Sequence, residues 1–167
     1  MTREPFEAIV AEYGPMVLRV CRAVLGPADA DDAWSETFLS AMQAYPDLRA
    51  DSNIEAWLVT VAHRKAIDQW RGRTRRAIPM ADLPDPAVSS SDAGVPGAQE
   101  SELWDALKML PPKQRQSVAY HFLGGLPYAD VAAVLGGTAD AARRAAADGV
   151  AALRKNPLVR MQQGDPR

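Results

Sequence analysis

The sequence feature that most constrains the fold is one amphipathic stretch that runs from Ser52 to Arg76. Its apolar residues recur at helical spacing, so the pattern predicts a long helix whose apolar face packs on other helices. Those residues are Ile54, Trp57, Leu58, Val61, Ala62 and Ile67. Ser52 and Glu55 form a capping-box pattern, which predicts where the helix begins. At the rise of an α-helix, the stretch is about 35 Å long.

The second half of this stretch is basic at its exposed positions. Its basic residues are Arg64, Lys65, Arg71, Arg73, Arg75 and Arg76, and Asp68 is the one acid among them. A helix that is anchored in a core at one end and positively charged at the other is typical of a protein that binds a polyanion. A solvated charged face is the alternative interpretation.

Composition favours packed helices, because aromatic residues make up only 7% of the 167 residues and no stretch alternates β-branched residues. The net charge of −2 hides an uneven distribution. Several acids lie in a segment without basic residues, namely Asp29, Asp31, Asp32 and Glu36. Cys21 is the single cysteine, so an internal disulfide is excluded, and we expect a small buried hydrophobe in a reducing compartment.

Proline and glycine residues divide the chain into two helical sets. Residues 1–77 are predicted to form a bundle of four helices, with a break at Gly14-Pro15 between the first two. Residues 78–98 are rich in proline, serine and glycine and are predicted to be a linker that can hold the two halves well apart. Residues 99–156 form the second set, and 157–167 a tail. The predicted fold is therefore all-α, with two small helical domains.

The end of the second set has the helix-turn-helix pattern. A short helix from Tyr128 to Leu135 is followed by Gly136-Gly137, and Thr138 then caps a longer helix that extends to about Arg154. Many helical hairpins share this pattern, so by itself it does not establish DNA binding.

Other classes of function have little support in the sequence. The two histidines, His63 and His121, lack cysteine or carboxylate neighbours at metal-ligand spacing, and no nucleophile–base set or phosphate-binding loop occurs. We therefore expect no enzyme activity, no metal and no cofactor. No apolar run reaches the length of a membrane span, and the N-terminus lacks the shape of a signal peptide. We expect a cytoplasmic protein that does not insert into membranes.

Three segments, taken in order, resemble the bacterial sigma factors of the extracytoplasmic-function (ECF) type, in the sigma-70 superfamily. ADDAWSETFLSA (residues 30–41) resembles the acidic helix of that family, and WLVTVAHRKAIDQWRGRTRR (57–76) resembles its promoter-melting helix. LKMLPPKQRQSVAYHFLGGLPYADVAAVLGG (107–137) resembles its C-terminal helix-turn-helix domain. The resemblance covers nearly the whole chain. It implies an alternative sigma factor that directs core RNA polymerase to promoter DNA.

The resemblance implies that the acidic helix binds core polymerase, on basic helices of its largest subunit. Asp31, Asp32 and Glu36 share one helical face, and these acids with Ser35 are the candidate core-binding residues. The family usually has glutamine where Ser35 stands. A solvated acidic face remains the alternative.

The resemblance also places the basic helix on the minus-ten element and makes the loop from Tyr45 to Asn53 a pocket for a flipped base. Trp57 is instead predicted to pack in the core. The family commonly has asparagine where Arg64 stands. The candidate minus-ten residues are Tyr45, Leu48, Arg49, Asn53, His63, Arg64, Lys65, Arg71, Arg73, Arg75 and Arg76.

The last helix would read the minus-thirty-five element, with Thr138, Arg143 and Arg144 as candidates. Here the chain departs most from the family, because Asp140 and Asp148 repel phosphates and the usual run of arginines is absent. We expect weak readout at this element, a partner that compensates for it, or a helix that contacts protein instead. Two alternative functions follow: a sigma-derived interaction protein or regulator, and a simple helix-turn-helix repressor. Family members often have an anti-sigma partner, so one is expected here.

Overall fold

The computed structural model describes residues 3–76 and 98–156, and within these ranges the chain is helical and contains no strand. This confirms the all-α fold class. The helices are α1 (Phe6–Leu25), α2 (Pro27–Ala44), α3 (Ile54–Arg76), α4 (Ala98–Lys108), α5 (Pro112–Val118), α6 (Tyr128–Leu135) and α7 (Ala139–Lys155). A single 3-10 turn, Tyr45–Asp47, follows α2, and a π-helical turn, Ala119–Leu123, extends α5. The predicted linker at 78–98 and tail at 157–167 lie essentially outside the described residues.

Helices α1, α2 and α3 pack around an apolar core of their own. Each of the three contributes residues from one face, as the helical periodicity of their sequences requires. The buried members are Ile9, Val17, Cys21, Ala30, Ala33, Phe38, Ala41, Leu58 and Ala62. Cys21 is among them, which confirms its prediction as a buried hydrophobe.

The predicted break at Gly14-Pro15 is wrong, because α1 runs without interruption from Phe6 to Leu25 with Pro15 inside it. Proline removes one backbone donor and usually bends or ends a helix. Here Ile9 and Val17, on either side of the proline, are buried in the same core. The Trp34 indole N–H also donates to the Gly14 carbonyl at 2.9 Å. Helix α1 is therefore continuous and packs against α2 at the point where the local signal predicts a break.

The start of α3 also differs from the prediction. The helix begins at Ile54, and the Asn53 side-chain oxygen accepts from the Ala56 N–H at 3.2 Å. Asn53 thus fills the N-cap role that the sequence assigned to Ser52. Asparagine is as good an N-cap residue as serine, so the two neighbours compete and the backbone path decides.

The helix-turn-helix prediction matches the structure in detail. Helix α6 has the predicted bounds, and the Thr138 hydroxyl accepts from the Ala141 N–H at 3.1 Å to cap α7. Gly136 and Gly137 both have positive φ, 85° and 96°, which non-glycine residues rarely adopt. These two glycines make the sharp turn between the helices possible.

The two halves share a second core, so the structure does not hold them apart as the linker composition suggested. One face of α1, with Val20 and Val24, and one face of α3, with Val59 and Ala66, pack on the C-terminal half. The C-terminal residues of this core are Trp104, Leu107, Leu110, Val118, Ala119, Tyr120, Leu126, Val131, Ala132, Ala142 and Ala146. We call this contact the inter-half core. It forms because α1 and α3 each carry a second apolar face that the N-terminal bundle leaves uncovered.

Arg115 joins the halves by polar contacts. Its Nη1 donates to the Val24 carbonyl at the end of α1, at 3.2 Å. Its Nε and Nη2 donate to the carbonyls of Leu107, Lys108 and Leu110, at 2.9–3.0 Å. One guanidinium therefore donates to carbonyls at the ends of two helices, where donors from the helix backbone become scarce.

Gly149 explains an irregularity of the sequence, because a glycine inside a helix ordinarily costs about 1 kcal/mol relative to alanine. A Cβ at Gly149 would lie 2.8 Å from Val118 Cγ2 and 3.3 Å from the Gln114 carbonyl oxygen. The glycine therefore lets α7 approach α5 closely.

We expect Gly149→Ala to lower the free energy of unfolding by about 1–3 kcal/mol, the usual cost of overpacking. Gly72→Ala is the matched control in α3, because a Cβ there meets no atom within 4 Å. It should raise stability by up to about 1 kcal/mol. Urea unfolding measures both, and stabilisation by Gly149→Ala would contradict the packing argument.

Candidate nucleic-acid and protein interfaces

Helix α2 presents four candidate residues together on one exposed face, which we call the acidic surface: Asp31, Asp32, Ser35 and Glu36. The opposite face of the helix is fixed by buried Ala33 and Thr37, whose hydroxyl donates to the Ala33 carbonyl at 2.6 Å. Within the part of the chain that the structure describes, none of the three carboxylates forms an ion pair. The acidic surface is therefore available to a basic partner.

Two apolar residues continue this face, and the sequence analysis did not assign them a role. Leu39 and Met42 are 58% and 50% exposed, although large apolar residues are usually covered. Their spacing of three and seven residues from Glu36 and Ser35 places them one and two turns further along the face. This helical spacing was the sequence signal that could have placed both residues on the exposed face. An apolar strip beside unpaired charges suits a protein partner better than solvent alone.

The C-terminal half of α3 carries the basic candidates that the structure describes. Arg64 and Arg71 are exposed, and Lys65 is half-buried. The side chains of Arg73, Arg75 and Arg76 lie outside the described residues. Trp70, beside Arg71, is 63% exposed and so offers a large ring next to cationic groups. This combination can bind phosphates and stack on an unpaired base.

The candidate base pocket at Tyr45–Asn53 is occupied by local contacts. Tyr45 packs against Phe6 and Trp57, with ring centroids 5.5 Å and 6.4 Å away, and its hydroxyl donates to the Glu4 carbonyl at 2.7 Å. Arg49 pairs with Asp51 at 3.2 Å on the surface. Leu48 is half-buried, and Asn53 caps α3. The structure brings these residues together, and their role in binding a base stays a prediction.

Arg3 is a residue of this region that the sequence analysis missed. Its guanidinium donates to the carbonyls of Tyr45, Pro46 and Leu48 and lies 5.1 Å from the Tyr45 ring centroid. It therefore fixes the turn that leads into α3. Only the three-dimensional path of the chain reveals it, because Arg3 lies more than forty residues from its partners.

His63 was predicted to contact DNA, and the structure places it inside the protein. It is only 8% exposed, and its Nδ1 lies 2.5 Å from the Tyr120 hydroxyl of the C-terminal half. Burial strongly raises the pKa of Tyr120, so the phenol keeps its proton beside Nδ1. In this arrangement His63 is not accessible to a nucleic acid. Val59, His63 and Ala66 lie on one helical face, and this spacing was the sequence signal that could have predicted the burial of His63.

Because His63 is buried, we expect the folded protein to lose stability in acid. Burial, and then the nearby Arg64 charge, lower the pKa of His63 below its ordinary value near 6.5. The unfolded chain therefore binds the proton first, so the contribution is present above about pH 6.5 and is lost as pH falls through the folded-state pKa. We expect His63→Gln to weaken the pH dependence of the urea midpoint between pH 7 and pH 5. An unchanged profile would contradict this assignment.

The candidates on α7 have different surroundings. Thr138 uses its hydroxyl as the helix cap. Arg143 forms an ion pair with Asp140 at 2.6 Å, and its guanidinium carbon lies 5.3 Å from the Tyr128 ring centroid. Arg144 is exposed and has no hydrogen bond or ion pair to the other described residues. Two adjacent arginines are thus held in place to very different extents.

The described residues contain no group of three histidine, cysteine, aspartate or glutamate side chains that could hold a metal ion. Among the described helices, none is long and apolar enough to cross a membrane.

Family comparisons cover both halves of the chain. The model for sigma-70 region 2 matches residues 9–76, and the model for sigma-70 region 4 matches residues 100–153.

Curated relatives agree with the family models. The ECF RNA polymerase sigma factor SigD of Mycobacterium tuberculosis is 30% identical over 84% of this chain and 71% of its own length. The RNA polymerase sigma factor CarQ of Myxococcus xanthus is 28% identical over 92% of this chain and 89% of its own. The ECF RNA polymerase sigma factor BldN of Streptomyces coelicolor is 31% identical over 80% of this chain, which spans only 53% of that relative.

Solved structures share the fold at low identity. The sigma factor RpoE of Bartonella quintana, in complex with the anti-sigma factor NepR, has a TM-score of 0.74 and 20% identity, covering 96% of this chain and 98% of that one. CnrH in complex with the cytosolic domain of CnrY has a TM-score of 0.61 and 20% identity, covering 96% and 88%.

Proposed function

Since the chain belongs to the ECF RNA polymerase sigma factors, we propose that its acidic surface binds core polymerase and that the basic half of α3 binds and opens promoter DNA. Family membership makes it an alternative sigma factor that directs transcription initiation. Its contribution is binding free energy for strand separation, so we propose that it makes and breaks no covalent bond itself. Polymerase and promoter both lie in the bacterial cytoplasm, which is the compartment we propose for it.

The observation that carries this proposal is the separation of charge on two exposed helical faces. Asp32 and Glu36 on α2 are exposed and unpaired among the described residues, and Arg64 and Arg71 are exposed on α3. The two sets of charge lie on different helices, and each keeps one sign. Their separation supports two different partners, one basic and one anionic.

The basic half of α3 suits an opened promoter more than an intact duplex. Its arginines and lysine supply contacts to phosphates, and exposed Trp70 supplies a stacking surface for a base that has left the duplex. Stacking compensates part of the cost of unpairing, which is the step that initiation requires.

Salt dependence tests the phosphate contacts. If most of the six basic residues of α3 neutralise phosphates, they should contribute about −4 to −5 to the slope of the logarithm of promoter affinity against the logarithm of salt concentration. Replacing Arg64 and Arg71 by alanine should reduce the magnitude of that slope by about 2. Filter binding of holoenzyme to a minus-ten probe measures it, and an unchanged slope would remove both residues from the DNA interface.

A second candidate function has its own observation. The Asp140 carboxylate already forms an ion pair with the Arg143 guanidinium. The exposed face of α7 is also rich in alanine, including Ala141, Ala147 and Ala151. This composition favours a sigma-derived interaction protein that binds polymerase but reads the minus-thirty-five element poorly. A protein regulator is a proposed partner in either case, since RpoE and CnrH were both solved in complexes and RpoE's partner is an anti-sigma factor.

Run-off transcription with purified core polymerase and genomic DNA fragments separates the two candidates. Specific transcripts that depend on added protein would support the initiation factor. Core binding without transcripts from any fragment would favour the interaction protein. Duplex binding without polymerase would instead indicate a simple repressor, for which the acidic surface has no use.

A further inference from the structure

The environment of Arg143 distinguishes it from the other cations of α7. Its side chain is 59% exposed, yet it is fixed at two points. Asp140, one turn earlier on the same helix, accepts from Nη1 at 2.6 Å. Tyr128, from the first turn of α6, lies under the guanidinium with its ring centroid 5.3 Å from the guanidinium carbon. A cation over a tyrosine ring is attracted by the ring electrons, so this contact holds the guanidinium close to α6.

Tyr128 is itself held in place from below. The His121 ring stacks on it with centroids 3.9 Å apart and an angle of 14° between the planes. His121 is fixed in turn by its Nδ1–H, which donates to the Leu126 carbonyl at 2.8 Å. Three side chains from the π-helical turn, α6 and α7 thus form one connected group, in which both of the others contact the Tyr128 ring: His121, Tyr128 and Arg143.

Arg143 keeps N–H donors that the contact with Asp140 does not use. A guanidinium has five N–H donors, and the observed contact with Asp140 is made through Nη1. Guanine presents two acceptors in the major groove, O6 and N7, and arginine is the side chain that most often binds both. Holding the guanidinium at two contacts in advance reduces the side-chain entropy lost on binding and limits the directions from which a base can be contacted. Neighbouring Arg144, without such contacts to the described residues, suits a backbone phosphate.

We propose that Tyr128 is a positioning residue that presets Arg143 to read a guanine in the upstream promoter element, while Arg144 contacts phosphate. This rests on the proposed function in so far as the DNA is promoter DNA. It also assigns Asp140 a use: its charge orients Arg143, where the sequence alone suggests only repulsion of phosphates.

The test uses the full chain in holoenzyme with a promoter found by run-off transcription and a library in which its upstream element is randomised. Sequencing of transcribed templates gives the base preference at every position. The variants are Tyr128→Phe, Tyr128→Leu, Arg143→Ala and Arg144→Ala. Tyr128→Phe keeps the ring and serves as the conservative rescue, and Arg144→Ala is the matched charge control.

We expect wild-type protein and Tyr128→Phe to share a preference for guanine at one upstream position. Arg143→Ala should lose that preference, by about tenfold to a hundredfold. Tyr128→Leu should weaken it about five- to tenfold while transcribing the other templates as before. Arg144→Ala should lower transcription from all templates alike. A merely destabilised Tyr128→Leu would reduce every template equally, so the preference separates positioning from folding.

Three results would overturn the inference: no guanine preference in the wild type, a preference that survives Arg143→Ala, or one that Tyr128→Leu leaves intact. If wild-type protein yields no transcript, the proposed function fails, and the chain alone is used to select duplexes from the same library. A guanine preference that depends on both Arg143 and Tyr128 would then still support this inference, and any other profile would reject it.

Discussion

Replacing Asp32 and Glu36 together by lysine is expected to lower the affinity for core polymerase at least a hundredfold. Both carboxylates are exposed and lie one turn apart on α2, so the double change reverses the sign of the acidic surface. Like charges brought together at an interface cost several kcal/mol, and each 1.4 kcal/mol is a factor of ten in affinity. Titration of labelled core polymerase measures the effect.

The control for this double variant changes the net charge equally at another place. Glu7→Lys with Asp47→Lys alters two exposed acids outside α2 and should leave core affinity within a factor of about three. Circular dichroism should show unchanged helix content in both proteins, because surface substitutions rarely alter stability by more than about 0.5 kcal/mol. Core binding that survives the reversal at Asp32 and Glu36 would show that polymerase docks elsewhere.

Tyr120→Ala is expected to lower the free energy of unfolding by about 3–5 kcal/mol, the usual cost of removing a large buried ring. Tyr120 is 1% exposed in the inter-half core, and its hydroxyl is the partner of buried His63. Tyr120→Phe keeps the ring and removes the hydroxyl, so it should cost about 1–3 kcal/mol because the buried histidine nitrogen loses its hydrogen-bond partner. Urea unfolding monitored by circular dichroism measures both.

Phe122 supplies the matched control, since it lies on the same π-helical turn but is 57% exposed. Phe122→Ala should change stability by about 0.5 kcal/mol or less. If Tyr120→Ala had an effect as small as that of Phe122→Ala, the inter-half core could not be a stable contact in solution.

Helix ends that are set by local signals could be predicted from the sequence. Thr138 caps α7 as expected, and Gly136 ends α6 because only glycine readily adopts its positive φ. Such signals act over three or four residues and depend little on the rest of the fold. The exposure of Asp32 and Glu36 was predictable for the same reason, because helical periodicity alone places them on one face.

Features that depend on distant parts of the chain could not be predicted. In the sequence, Pro15 looks like a break, but α1 continues through it, and Trp34 of α2 donates to the carbonyl of the preceding Gly14. In the sequence, Gly149 looks like a residue that weakens its helix, but a Cβ at this position would lie 2.8 Å from the Val118 side chain. In the sequence, His63 belongs to a basic stretch, but in the structure Tyr120 of the C-terminal half covers it. In each case the deciding contact comes from another helix.

The inter-half core has a thermodynamic consequence for any partner that binds only when the two halves are separated. Because both halves belong to one chain, their packing is an intramolecular equilibrium that does not weaken on dilution. A ligand that needs them separated binds only the open fraction of molecules, and its apparent dissociation constant rises by the inverse of that fraction. Substitutions that loosen the contact without touching any binding surface should therefore lower the apparent dissociation constant of such a ligand.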